Sequence, residues 1–444
     1  MSLLPPTAPT IWLPPLRQAL PSPGQGVAGG SVAAAEGRGI AREVLDNGIV
    51  ALAREIPDPD LVAVSIGVRA GSRFEDDPTA GAAKFMEKLF LQGTERRPSA
   101  DAVQRPIAVR GGALGTQAGS ELVIFAAQAR TADVDVLFDV LADVVLHSTF
   151  LQDRVENEAR VILEELNARR ANPNVLAGDI FLPAVLEGHP LARSAAGDLE
   201  NTPRLSREAL CAYRDRLFVG RNTVIAVVGN LPTAEAFDRV SSAFDAMLPG
   251  QPAPPSVASP PPARPQRIDH QAGSAAARII LGGPLPGLRS EDRFPLTVGS
   301  AVLGPSGFRL FREIRDLRGL SYDPSPAQVL FPDVGLWMAA AGTDPSNVDL
   351  VIELLRAQFT RLREEPIDEA ELTDARNFLE GSLVISLETP SAQSGQIIRD
   401  EAFGSPVLSD EYREGIRRVT VRDVQRTAQT YLDPDQATLV VVRP

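Results

Sequence analysis

Three charged residues lie at positions that a single helix face would bring together. The segment 81–94 reads GAAKFMEKLFLQGT, in which Lys84 and Lys88 are four residues apart and Glu87 lies between them. Residues four apart lie one above the other on a helix. A protonated lysine has three donors and no free lone pair, so this face attracts carboxylates and repels metal cations. Taken alone, the pattern indicates a solvated helix face, because lysine is rarely buried without a partner.

A second pair of residues could stabilise negative charge on an oxygen atom. The run 307–322 reads GFRLFREIRDLRGLSY, with Arg315 and Tyr322 seven residues apart. The apolar positions that predict a helix here are Leu310, Ile314 and Leu317. Gly319 is a natural helix stop, so we expect Arg315 on the last turn and Tyr322 at the start of the next strand. Such residues can also serve only the helix terminus and strand packing.

A guanidinium and a phenol are nevertheless well suited as donors to a carbonyl oxygen that gains charge during a reaction. The remaining arginines of this run are predicted to be surface charges: Arg309, Arg312 and Arg318.

Composition excludes several classes of protein. The chain has 444 residues, with 44 basic and 57 acidic side chains and a net charge of −13. That charge argues against nucleic-acid binding and against an anionic membrane surface as main partners. No apolar run is long enough to predict a transmembrane segment. A single cysteine, Cys211, excludes an internal disulfide, and the three histidines are too far apart in sequence to form a local histidine-pair metal site.

The sequence contains an internal repeat. Residues 134–141 resemble 348–355, residues 159–164 resemble 375–380, and residues 223–228 resemble 438–442, all in the same order and at a nearly constant offset. Because chance matches would not keep one order and one offset, the pattern predicts a duplicated domain. A proline-rich segment separates the two copies.

We therefore predict an α+β protein made of two duplicated domains of about 200 residues. Strand pairs alternate with groups of helices, which indicates a mostly antiparallel sheet with helices on one face in each domain. The predicted parts are an extended Pro/Gly-rich arm at 1–40, a domain at 41–248, a linker at 249–265 and a domain at 266–444.

With its surroundings, the segment 81–94 resembles the pitrilysin and mitochondrial-processing-peptidase family of zinc metallopeptidases. That family has H-x-x-E-H where this chain has Lys84, Glu87 and Lys88. The flanking segments 70–75 (AGSRFE) and 93–94 (GT) are also similar, and the resemblance covers nearly all of 41–444. It implies that Glu165 occupies the position of the third zinc ligand and Glu158 that of a second glutamate near the metal.

The chain departs from the family at the metal site itself. Lysine replaces both histidines, so we expect no metal ligands in this chain. The second copy does not restore the site, because Gly381 stands where the repeat would place Glu165. We expect Lys84 or Lys88 to pair with Glu87 or Glu165, so that an ammonium group replaces the charge of the ion. His189, followed by proline as in a family loop, is expected to be structural.

The Arg315/Tyr322 run is similar to the family's R-E-x-x-G-L-x-Y motif, with Asp316 in place of the glutamate. The resemblance implies that this pair binds the substrate backbone and stabilises the oxyanion at a zinc site held by another domain. Together these features predict the non-catalytic subunit of a heterodimeric zinc metallopeptidase. Its partner would be a homologous subunit with an intact H-x-x-E-H motif that holds the zinc, its substrate would be a peptide, and this chain would bind no cofactor.

Two other functions remain open from the sequence. Core subunits of respiratory complexes resemble the same family, so a scaffolding role also explains the lysines, although it gives no reason for the Arg315/Tyr322 motif. A metal-free enzyme that uses Glu87 and Glu165 as acid and base would need a water geometry that nothing in the sequence specifies. By analogy with relatives we expect a periplasmic location, with the cytoplasm as the alternative.

Overall fold

The computed structural model describes residues 33–35, 39–254, 257–273, 276–304, 306–404 and 410–444. Most of the predicted N-terminal arm therefore lies outside the described residues. The strands are β1 (Ala33–Ala35), β2 (Ile40–Val44), β3 (Val50–Glu55), β4 (Leu61–Val68), β5 (Ala113–Ala118), β6 (Val123–Arg130), β7 (Thr223–Gly229), β8 (Gln266–Gln271), β9 (Ala277–Pro286), β10 (Ser325–Leu330), β11 (Val334–Thr343) and β12 (Thr438–Arg443).

The helices are α1 (Ala82–Leu89), α2 (Ala100–Ala108), α3 (Val134–His147), α4 (Gln152–Ala171), α5 (Pro173–Val185), α6 (Arg207–Leu217), α7 (Thr233–Phe244), α8 (Arg293–Leu303), α9 (Val348–Glu364), α10 (Glu369–Ser386), α11 (Pro390–Phe403), α12 (Asp410–Arg418) and α13 (Val421–Tyr431). A π-helical segment, Phe311–Asp316, follows α8. In the described part of the chain, no helix is long and apolar enough to cross a membrane.

The strands form two mixed sheets. The first has seven strands in the order β1-β2-β3-β7-β4-β6-β5, and the second has five in the order β10-β11-β9-β12-β8. Every neighbouring pair is antiparallel except β3 with β7 and β8 with β12. Most helices of each half pack on one face of that half's own sheet, and the predicted α+β class with mostly antiparallel sheets is confirmed.

The duplication predicted from the sequence is visible in the topology. Strands β3, β7, β4, β6 and β5 of the first sheet correspond in order and direction to β8, β12, β9, β11 and β10 of the second. The matched sequence windows also fall on equivalent elements, namely α3 and α9, α4 and α10, and β7 and β12. Between the sheets, residues 251–254 and 257–265 form neither helix nor strand.

Each sheet is covered on both faces. One face packs against helices of its own half, and the opposite face is covered by a helix of the other half. In β4, Val64 and Ile66 join the core beneath α1 and α3, whereas Ser65 and Gly67 point to the opposite face. There the Ser65 hydroxyl lies 2.8 Å from that of Ser394, on α11. Successive side chains of a strand point to opposite faces of the sheet, so these two sets of residues contact different layers. A helix of the second half thus covers the outer face of the first sheet.

The converse arrangement holds for the second sheet. Leu439 and Val441 of β12 face the core of their own half, while Val440 and Val442 pack with residues of α5. Phe181 of α5 is almost fully buried in this contact. The helix α5 belongs to the first half, so each half supplies the helix that covers the outer sheet face of the other.

Candidate functional site

The start of helix α1 is fixed by a buried carboxylate. The two oxygens of Glu75 accept hydrogen bonds from the backbone N–H groups of Gly81 (2.9 Å) and Ala83 (2.8 Å). These are donors that the first turn of a helix leaves without partners. Gly81 has a φ of +97°, which glycine adopts without strain and which turns the chain into the helix. Burial raises the pKa of the Glu75 carboxyl to about 7, although its two hydrogen bonds oppose that shift.

The two faces of α1 have different roles. Its apolar side packs into the first core and contains Ala82, Ala83, Phe85, Met86 and Leu89. The other side carries Lys84, Glu87 and Lys88 and faces helix α4. On α4, Glu158 and Glu165 are two helical turns apart and therefore share a face. The structure thus brings together the five positions that the sequence analysis assigned to a degenerate metal site.

Two lysines and two glutamates of this set form a connected group of ion pairs. Lys88 Nζ lies 2.5 Å from Glu165 Oε1, and Lys84 Nζ lies 2.6 Å from Glu87 Oε1. Lys84 Nζ is also 3.2 Å from Glu165 Oε2, and Lys88 Nζ is 3.7 Å from Glu87 Oε1. Each ammonium group therefore lies between the same two carboxylates.

Glu87 also connects this group to the edge of the first sheet. Its second carboxylate oxygen accepts a hydrogen bond of 2.8 Å from the backbone N–H of Ala118, the last residue of β5. The hydroxyl of Thr116, in the same strand, donates to the backbone carbonyl of Glu87. These contacts fix the carboxylate, so both of its oxygens are already engaged within the chain.

The charges in the group shift one another's pKa values. Burial alone would lower the pKa of Lys88, but the hydrogen bond to Glu165 and the three nearby glutamates raise it above its ordinary value. Burial opposes ionisation of Glu165 as well, yet the two lysines hold its pKa below the usual range. The pKa of Glu158 is raised, because burial and the charge of Glu165 outweigh the attraction of Lys88. Lys88 and Glu165 thus stabilise each other's charged forms.

These residues do not fit a zinc ion. The ammonium groups offer no lone pair to a metal, and they lie at hydrogen-bonding distance from the carboxylates that would otherwise be ligands. Within the described part of the chain, no cluster of three or more histidine, cysteine, aspartate or glutamate side chains could hold a metal. The arrangement can neutralise carboxylates, but it cannot activate a water molecule by metal coordination.

The structure brings Arg315 and Tyr322 into direct contact with each other. Arg315 Nη1 donates a hydrogen bond of 3.0 Å to the backbone carbonyl of Tyr322, and its guanidinium carbon lies 4.3 Å from the centre of the tyrosine ring. The Tyr322 side chain is strongly exposed, at 78%. Its hydroxyl makes no hydrogen bond within the described residues. The pair is therefore assembled and open to a ligand.

Two expectations for the segment around Arg315 and Tyr322 are wrong. Tyr322 does not open a strand, because β10 begins only at Ser325 and Tyr322 lies in the preceding loop. Arg309 is not a surface charge, since it is buried and forms two hydrogen bonds of 2.6 Å with Glu371. Among the described residues, no hydrogen bond or ion pair connects Arg315 or Tyr322 to the lysine–glutamate group.

A buried charge network that the sequence analysis missed connects the two halves. Arg73, from the first half, donates to both oxygens of Asp333, at 2.9 and 2.6 Å, and its Nε lies 2.9 Å from Glu121. His189 Nε2 lies 3.6 Å from Asp333, and its Nδ1 accepts from the Leu191 N–H. The nearby His189 and the hydrogen-bonded Arg73 guanidinium outweigh burial and lower the pKa of Asp333. The contacts of His189 are structural ones, within this network.

Two family models match the chain. The model described as insulinase (peptidase family M16) matches residues 50–199, and the one described as the peptidase M16 inactive domain matches residues 204–379. An uncharacterized zinc protease of Mycobacterium leprae is 30% identical over 411 residues, which are 90% of this chain and 91% of the relative.

The chain belongs to peptidase family M16. A further uncharacterized zinc protease, from Mycobacterium tuberculosis, is 29% identical over 88% of this chain and 90% of its own.

Solved structures show the same M16 fold. A peptidase M16 inactive domain from Pseudomonas fluorescens superimposes with a TM-score of 0.84 at 21% identity, covering 91% of this chain and 98% of its own. A protease from Helicobacter pylori gives a TM-score of 0.83 at 18% identity, covering 91% and 99%. The fold is therefore that of family M16.

Proposed function

We propose that this M16 chain is the non-catalytic subunit of a heterodimeric zinc metallopeptidase. The observation that carries the proposal is the ion-paired group at Lys84, Glu87, Lys88 and Glu165. In a family whose members are named zinc proteases, a chain with ammonium groups at these positions needs another subunit to supply the metal. The partner is a homologous M16 chain with an intact H-x-x-E-H helix.

The role of this chain in the complex is to present Arg315 and Tyr322 to the partner's zinc site. A peptide carbonyl under attack gains negative charge on its oxygen, and donors fixed before the reaction stabilise that charge. Arg315 uses one N–H group to bind the Tyr322 carbonyl, and its other N–H groups have no acceptor within the described residues. The exposed Tyr322 hydroxyl supplies a further donor. The exposure of the Tyr322 side chain and the unused donors of Arg315 support a ligand that comes from outside the chain.

The experiment is a turnover assay with and without the partner. The chain is purified from its native source together with any M16 homologue that binds it, and cleavage of a quenched fluorogenic peptide library is measured. We expect this chain alone to cleave nothing and the complex to be active. Replacing Arg315 by Ala, or Tyr322 by Phe, lowers kcat about 10²-fold to 10³-fold, the cost of removing one oxyanion donor.

Size-exclusion chromatography of each variant complex serves as the control, because loss of the partner would also abolish turnover. Wild-type turnover in both variants would remove Arg315 and Tyr322 from the proposal. Purification without an M16 partner, or with a membrane complex instead, would favour the scaffolding role.

A further inference from the structure

We propose that Phe311 is a positioning residue for the oxyanion donors, which it serves by holding the Arg315 guanidinium. This inference rests on the proposed function of Arg315 and names the residue on which the precision of that function depends. Phe311 is the first residue of the π-helical segment, four positions before Arg315.

Two aromatic rings contact the same guanidinium group. The guanidinium carbon of Arg315 lies 4.5 Å from the centre of the Phe311 ring and 4.3 Å from the centre of the Tyr322 ring. Arginine above an aromatic face is stabilised by the ring quadrupole, within about 6 Å of its centre. The hydrogen bond from Nη1 to the Tyr322 carbonyl adds a third contact. Together these contacts restrict a side chain that would otherwise have many rotamers.

The backbone around Phe311 is unusual in a way that fits this role. Residues 311–316 form a π-helix, and the N–H of Leu317 donates to the carbonyl of Arg312, five residues earlier. Segments of this kind are rare and often occur at functional sites. The turn ends at Gly319, which has a φ of +63° and whose N–H bonds the Arg315 carbonyl. Arg315 is thus held at its backbone as well as at its side chain.

The segment is also anchored to the body of its own half. Arg309 forms its two hydrogen bonds with Glu371, at the start of α10, and Ile314 is fully buried in the second core. Phe311 itself is only half-buried and is not part of that core. Its ring is therefore not needed to fill the interior, and its contact with the guanidinium is the feature that a substitution would remove.

A fixed guanidinium is useful because an oxyanion donor must be aimed before charge develops. Without the Phe311 ring, Arg315 keeps its charge but gains rotamers, so fewer molecules hold the productive geometry. The effect of Phe311 on catalysis must then pass through Arg315. A positioning role therefore differs from a general structural role, because it disappears when Arg315 is absent.

The test is a double-mutant cycle in the complex with the zinc-bearing partner, read as kcat/KM for a fluorogenic peptide. Phe311→Leu is expected to lower kcat/KM about fivefold to tenfold, in line with the strength of a cation–π contact. Phe311→Tyr, which keeps the ring, is expected to retain activity. In an Arg315→Ala background, Phe311→Leu should cause no further loss, because residues that act through one another are not additive.

The matched control is Phe308→Leu, which removes a ring three residues before Phe311, outside the π-helical segment. Phe308 contacts Phe378, at 5.3 Å between ring centres, and not Arg315, so its loss should leave kcat/KM near the wild-type value. If Phe311→Leu lowers the melting temperature of the complex, the same cycle is measured with Phe311→Met, because methionine fills the space of the side chain without a ring.

The outcomes separate the two proposals. Full activity of Phe311→Leu together with impaired Arg315→Ala would overturn the role of Phe311 and leave the proposed function standing. An equal loss on Phe311→Leu in both backgrounds would also overturn it, because the effect would then be structural. Full activity of Arg315→Ala would instead contradict the proposed function itself.

Discussion

At the scale of single residues, the proposal depends on the two lysines of helix α1, which stand where the resemblance to the family places its zinc-binding histidines. Lys84 and Lys88 bring two positive charges to a position between Glu87 and Glu165. Those carboxylates would repel one another if a cation were simply lost, and the lysines prevent this. The ion pairs neutralise the carboxylates that lie between helices α1 and α4.

Replacing both lysines, Lys84→His with Lys88→His, should create a zinc site in the isolated chain. Two imidazoles at this spacing, with the Glu165 carboxylate, supply the three protein ligands that open zinc sites use. Titration calorimetry and metal analysis after dialysis should show one zinc bound per variant chain. The charge-free control, Lys84→Met with Lys88→Met, should bind none. Equal binding by the wild-type chain, or no binding by the histidine variant, would show that these positions are not a degenerate metal site.

The sequence predicted some residues of the site and not others, for physical reasons. Spacing on one helix placed Lys84, Glu87 and Lys88 together, because local geometry follows from the 3.6-residue period. Arg309 was misjudged because its partner, Glu371, is distant in sequence. Asp333 resembles an ordinary turn residue between two strands, and only the packing of the two halves buries it beside Arg73.

At the scale of elements, the N-terminus of α1 contains a group whose ionisation opposes stability. The pKa of Glu75 is raised to about 7, whereas its ordinary value is near 4.5. Between these values the folded chain binds more protons than the unfolded chain, so the free energy of unfolding falls as pH rises through this window. The contribution of Glu75 to that fall is about 3 kcal/mol.

Glu75→Gln, which resembles the protonated carboxyl, should therefore flatten the decline in unfolding free energy between pH 4.5 and 7. Urea unfolding at several pH values measures this slope. Glu371→Gln is the matched control, because its hydrogen bonds to Arg309 lower the pKa of that carboxyl and it titrates below the window. An unchanged slope in the Glu75 variant would mean that its carboxylate is stabilised by α1 and remains ionised.

The junction between the halves depends on the hairpin turn that carries Asp333. Its side chain is 4% exposed, and it pairs with Arg73, which is 6% exposed. Removing one member of a buried pair leaves a charge without its partner, although Glu121 still faces Arg73. Asp333→Asn should therefore cost about 3 kcal/mol of unfolding free energy. Because the pKa of Asp333 is lowered, its wild-type contribution is present at neutral pH and is lost as pH falls below the ordinary aspartate value.

Chemical denaturation at pH 7 measures this cost. The control is Asp323→Asn, since Asp323 pairs with Arg278 in a half-exposed position and should contribute about 1 kcal/mol or less. Similar losses in the two variants would indicate that the Arg73–Asp333 pair has no special role in joining the halves.

Element types and approximate bounds were predictable where the apolar pattern was strong. The apolar repeat windows 134–141 and 223–228 lie within α3, Val134–His147, and β7, Thr223–Gly229. What covers the outer sheet faces was not predictable. The helix α5 is apolar on several sides, which indicates burial, but nothing in its sequence shows that its neighbour is the sheet of the other half.

At the scale of the whole molecule, the exchange of covering helices links the stability of the two halves. Unfolding of either half would expose the apolar surface beneath α5 or α11, since each helix packs on the other half's sheet. We therefore expect a single cooperative unfolding transition. Differential scanning calorimetry should give one peak with equal calorimetric and van't Hoff enthalpies. Two resolved transitions would show that the halves are independent domains.

Because each half covers the outer sheet face of the other, we expect the opening movement of the proposed peptidase to lie between subunits. Substrate entry would then require the two chains to separate or hinge, and not a rearrangement within this one. The acidic net charge of −13 would favour basic peptide segments as they enter.

The most direct test of the account is a titration of the zinc-bearing M16 partner with this chain, followed by peptide turnover. Activity should rise from a low value and saturate at one chain per partner, with one zinc per complex. The Arg315→Ala, Tyr322→Phe double variant should compete with the wild-type chain for the partner and abolish turnover. Full activity of the partner without this chain, or full activity with the double variant, would contradict the account.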